Sequence, residues 1–233
     1  MTILDDYKPY IDKYGLVQDK PGNTSGNGIR YTAEAMYAVL ISRNWESQSG
    51  VFVHDAFQSI LYCSSFGLRT ETRFYLKRHP DGEPTTIDDY TAAIFASWAI
   101  GETVGLTRHF LAAGPKQNYI YAPDFDPKFF LGRFPQLFCI ANWVAKRKPS
   151  KFQELFWMIS VFQGAIHKGQ DEKVLSWMLV EIGRGRRWIF KPLIWFWRKK
   201  LKKHYPYGIG QVLSDYYGNP DHPNAKYLKG VGV

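Results

Sequence analysis

The chain has 233 residues, of which 45 % are hydrophobic and 17 % aromatic, a composition that supports a packed globule and excludes disorder. Its formal charge is +9, but residues 184–203 hold nine basic residues and no acid. The rest of the chain balances at 21 of each sign, so a general nucleic-acid coat is excluded and only a local basic patch needs a role.

The start, MTILDDYKPY, is acidic and polar, which predicts no secretory signal. No apolar run approaches the ~20 residues that span a bilayer. A soluble protein made in a cytoplasm is expected. Cys63 and Cys139 lie in apolar helical contexts and read as buried free thiols, since no CxxC or zinc spacing is present.

Taken in order, residues 3–14 read as a short helix closed by Gly15, and 18–28 as a loop. Residues 29–45 predict an amphipathic helix. Another is expected over 51–66, with His54 and Asp55 in its first turn. Residues 69–78 read as a short helix or an extended connection, and 79–82 as a turn.

The stretch TTIDDYTAAIFASWAIGETV, 85–104, predicts the central helix. Thr86 and Asp89 stand at capping-box spacing, and Asp88 and Asp89 occupy the first turn, where the helix dipole favours acids. Ile87, Tyr90, Ile94 and Trp98 recur near helical spacing with alanines between them. A helix apolar on nearly every side is one that other helices surround. It is expected to continue past Gly101 or Gly105 to Gly114.

A Pro-rich loop follows, then a helix over 129–146 bent at Gly132 and Pro135. Ser150 is expected to cap a helix over 151–168, with 170–182 as its partner. Residues 186–203 read as a basic aromatic helix kinked at Pro192. Helices at 208–217 and 225–229 complete about ten, antiparallel where their connections are short. The expected fold is therefore a single all-α domain over 1–233, an irregular array of antiparallel helices.

Candidate chemistry clusters at Asp88, Asp89 and Tyr90, with His54, Asp55 and then Arg73 upstream. Carboxylates beside a His and a Tyr are the residue types that proton transfer on a polysaccharide requires. Asp88 and Asp89 point about 100° apart on a helix, so capping and core packing are the competing roles. In 184–203, Trp195 and Trp197 beside Arg198, Lys199 and Lys200 fit stacking with phosphate contact, an anionic membrane surface, or a packed helix with a solvated end. No HExxH, GxSxG, phosphate-loop or dinucleotide motif occurs, and no metal or cofactor is expected.

The phrases GNGIRYTAEAMYAVL, DDYTAA, LGRFPQLF and YYGNPDHPNAKYL, in that order, resemble a group of bacteriophage-encoded proteins of unassigned function. The helical-hairpin rhythm is similar to the (α/α) toroids of glycoside hydrolases and polysaccharide lyases, so an incomplete toroid is the alternative arrangement. The resemblance implies a virion-associated or accessory viral protein that binds a protein or glycan through an aromatic and acidic cleft. A glycan-cleaving enzyme using Asp88, Asp89, Tyr90 and His54 is the rival, and nucleic-acid or membrane contact by 184–203 the third reading. Implied partners are other phage or virion proteins and polysaccharide.

Overall fold

The computed structural model describes residues 3–18, 28–40, 47–66, 74–77, 79–80, 85–103, 105–116, 134–166 and 170–183. Among them the protein is all-α apart from a short two-stranded ribbon. The expected helices at 186–203, 208–217 and 225–229 lie outside the described residues.

The first helix is shorter than its apolar spacing predicts. Helix α1, Ile3–Tyr7, passes into a 3-10 turn over Lys8–Tyr10 that contains Pro9. Asp12 then takes over the backbone: its Oδ1 accepts the N–H groups of Tyr14 at 2.8 Å and Leu16 at 3.0 Å. The local carboxylate offers those donors an alternative to the helix ladder. Gly15, at φ +79°, completes the reversal in a region open mainly to glycine, and Ile11 bridges Val17 antiparallel.

Helix α2, Gly28–Leu40, is buried along nearly its whole length, Arg30 and Glu34 included. That corrects the expected half-exposed helix. Helix α3, Ser47–Cys63, begins four residues before the expected start and ends three residues early, so His54 and Asp55 lie beyond its first turn and not in it. Ser64–Phe66, expected in that helix, instead form β1 and pair antiparallel with β2, Phe74–Leu76, with Ser65 opposite Tyr75. Three-residue strands are too short to show a period of two.

Helix α4, Ile87–Ala99, is the centre, as its apolar circumference requires. Ile87 and every residue from Asp89 to Ser97 are buried, and α2 packs against it. The helix does not continue past Gly101. Gly101, at φ +71°, donates its N–H to Trp98 O at 3.0 Å, and Glu102 donates to Ser97 O at 2.8 Å, the two bonds of a Schellman stop. Trp98, near that end, is only half-buried.

Helix α5, Leu106–Lys116, begins anew and includes Pro115 in its last turn. Helix α6 covers Phe134–Val144, with Pro135 in its first turn, where a missing N–H costs nothing. Helix α7, Lys151–Ile166, starts at Ser150 as expected: Gln153 N donates to Ser150 Oγ at 3.2 Å and Ser150 N to Gln153 Oε1 at 2.9 Å, a reciprocal capping box. Helix α8 covers Gln170–Gly183. Helices α5, α6 and α8 also pack on α4, while α7 packs on α6 and α8 in a second shell.

Candidate functional site: an acidic cleft at the start of the central helix

The two adjacent acids of α4 have opposite fates, because successive helical residues point about 100° apart. Asp89 turns inward and is fully buried. Its Oδ2 accepts from Thr86 N at 2.9 Å and Thr86 Oγ1 at 3.0 Å, closing the capping box. Tyr90 also faces the core, where its hydroxyl accepts the Leu76 N–H at 3.0 Å and its ring packs against Phe74 and Phe110. That bond ties the ribbon to the central helix. Asp88 turns outward instead, half-buried.

Asp88 lines a cleft of about 430 Å³. Ile87 and Thr91 join it from α4, Gln136 from α6, Ser160, Gln163 and Ile166 from α7, and Leu175 and Ser176 from α8. Among the described residues the lining thus carries one carboxylate, three hydroxyls and two carboxamides beside the apolar Ile87, Ile166, Leu175 and Leu179. None of the described residues that line the cleft is aromatic.

Of the residues expected to act together, the cleft gathers Asp88 and not Asp89, Tyr90, His54 or Asp55. His54 and Asp55 sit on α3 with 70 % and 66 % of their side chains exposed, and His54 Nδ1 lies 3.1 Å from Asp55 Oδ1. Arg73, Trp195, Trp197, Arg198, Lys199 and Lys200 lie outside the described residues.

Two buried polar groupings went unread in the sequence. His79 Nε2 lies 3.0 Å from Asp12 Oδ2, both side chains almost wholly buried, and Gln18 Nε2 donates to the same oxygen at 2.7 Å. With the two backbone N–H groups on Oδ1, this carboxylate is saturated and organises the chain. Arg30 and Glu34 form the other, with Arg30 Nε 3.4 Å from Glu34 Oε1 and neither side chain exposed; the Arg30 guanidinium also lies over the Tyr31 ring. Their i, i+4 spacing was visible, but a charged pair of that kind ordinarily marks a solvated face.

Cys63 is no nucleophile. Burial, then the charges of Asp89 and Asp12, push its thiol up to about 12, so it stays protonated and unreactive near neutrality.

Fold and site together define a helical protein built round a central helix, with a polar cleft that holds Asp88 where that helix begins. No known protein family, curated protein or solved structure matches the chain. Among the described residues, no helix is long and apolar enough to cross a membrane.

Proposed function

We infer that the chain is a bacteriophage accessory or virion-associated protein that acts by binding, and that its cleft takes a glycan. The observation that carries this reading is the placement of Asp88 among Thr91, Gln136, Ser160, Gln163 and Ser176. Sugar hydroxyls both donate and accept. A carboxylate accepts only, a carboxamide does both through separate atoms, and a hydroxyl adapts. Bonds to the charged acceptor are the strong ones. The apolar lining of Ile87, Leu175 and Leu179 suits the C–H faces of a sugar ring, and the volume is of the order that ligand clefts have.

Binding is favoured over cleavage. Glycoside hydrolysis ordinarily needs a second carboxylate across the sugar, roughly 5–9.5 Å from the first. Among the described residues Asp88 is the carboxylate that the lining supplies, while Asp89 is engaged in the capping box. The virion association rests on the sequence resemblance, and co-purification with virions tests it. We further propose an irregular array of about ten helices over an incomplete (α/α) toroid, a reading that the central position of α4 supports.

Calorimetric titration of the full chain with a panel of bacterial-surface oligosaccharides tests the cleft. At least one should bind saturably, and Asp88→Asn should weaken it about tenfold, the loss of one charge-assisted bond. A panel without binders, or a variant that binds equally well, removes the reading.

A further inference from the structure

Helix α7 is apolar on two opposite faces. Trp157, Val161 and Gly164 are buried against the body of the protein. On the far side Phe152, Leu155, Ile159, Phe162 and Ile166 are 40–75 % exposed. Their spacings are three, four, three and four residues. At 3.6 residues per turn the five fall within an arc of about 80° and run about 21 Å along the helix. Exposed apolar groups scattered singly need no explanation, whereas a contiguous patch of several hundred Å² marks a contact surface.

The geometry points to a second copy of this chain as the occupant: we propose that the protein self-associates through α7, the two helices packing antiparallel about a two-fold axis near Ile159. This rests on α7 and not on the glycan reading of the cleft.

Three observations favour this occupant. The 3-4-3-4 spacing in so narrow an arc is the pattern of a helix–helix seam; a helix that lies in a bilayer surface carries a broader apolar face. Ile159 is the middle residue of the five, so an antiparallel two-fold sets Phe152 of one copy toward Ile166 of the other, an isologous contact. The charges choose the direction. Lys146, Arg147, Lys148 and Lys151 are exposed at one end of the stripe. A parallel pair would set eight cations side by side, while an antiparallel pair separates the two clusters by well over the ~8 Å screening length.

The area sets the strength. Taking roughly 200 Å² for each full side chain, the stripe exposes about 500 Å², so two copies bury about 1,000 Å². That lies at the lower edge of specific interfaces, and the association should be weak and reversible. It also has a consequence for the cleft, since Ile166 belongs to both surfaces. Phe152 of the partner subunit would bring an aromatic ring to the cleft's rim.

Sedimentation equilibrium of the full chain should show a monomer–dimer equilibrium with a dissociation constant in the range of about 10–500 µM. Ile159→Glu and Phe162→Glu should each raise it at least tenfold without lowering the melting temperature. Under mild oxidation Ile159→Cys should form a disulfide dimer and Phe152→Cys should not, against the low background set by the buried native thiols. The cysteine pair decides the matter even where a glutamate variant is unstable. A chain monomeric at ~1 mM, a dimer indifferent to both glutamates, or equal cross-linking by the two cysteine variants overturns the proposal. Flotation of a monomeric chain with phosphatidylserine vesicles, abolished by Ile159→Glu, also overturns it and assigns the stripe to membrane.

Discussion

Trp157 Nε1 donates to the Leu179 carbonyl at 3.0 Å, a hydrogen bond from α7 to the backbone of α8. It fixes the rotation of α7 about its own axis. Because Trp157 is held inward, edge-on to Trp143 at 5.1 Å between ring centres, the Phe152–Ile166 stripe faces out, and Ser160 and Gln163 reach the cleft. Both contact surfaces therefore depend on one indole.

Two substitutions probe that joint. Trp157→Phe keeps much of the ring but removes the donor, and should cost about 1–3 kcal/mol from the lost bond and the residual gap. Gly183→Ala should cost a similar amount for the opposite reason. A Cβ there would meet Trp157 Cζ2 at 2.7 Å and Trp143 Cζ3 at 3.4 Å, and neither indole can yield without repacking. Urea denaturation measures both; a change below about 0.5 kcal/mol at either site would place it outside the core.

The turn after α6 stores strain. Lys146 sits at φ +57°, and its N–H donates to Trp143 O while Arg147 N donates to Asn142 O at 2.7 Å. This is a Schellman stop with lysine where glycine is usual. Lys146→Gly should therefore stabilise the protein by about 1 kcal/mol. A destabilised variant would show that the lysine side chain contributes more than its backbone costs.

How much of this was legible depends on the range of the interaction. The capping box at Thr86–Asp89 and the cap at Ser150 are local, so sequence alone revealed them, while the Gln153 half of the second box was not read. The expected continuation past Gly101 or Gly105 fails, and only the backbone shows that the helix stops at the first of them. The Asp12–His79 pair joins residues 67 positions apart, beyond any local pattern. Apolar content on two faces placed α4 correctly at the centre, yet α7, with rings and aliphatics on two faces, has one of them in solvent. Periodicity states which residues share a face, and the number of neighbouring helices decides how many faces are covered. The cleft required four helices to converge, so Asp88 could be nominated from sequence while Gln136, Ser160 and Ser176 could not.

Cys63 gives a pH prediction. Its folded value, about 12, lies above the ordinary 9.0. Between these values the unfolded thiol has released its proton and the folded one retains it, so folding takes up a proton. The stability that this linkage contributes is present in full below pH ~9 and declines as pH rises toward ~12. Cys63→Ser or Cys63→Ala should flatten the fall in stability across that window, read by urea midpoints at each pH. An unchanged slope would mean that the thiol ionises alike in both states.

The most direct test of the account follows binding and turnover in one sample: the full chain is titrated with oligosaccharides while released reducing ends and unsaturated products are assayed. The account predicts saturable binding without product. Asp88→Asn should weaken that binding with the melting temperature unchanged, whereas Asp89→Ala should lower stability by about 1–2 kcal/mol through loss of the cap. Product formation that Asp88→Asn abolishes would contradict it and make the cleft an active site.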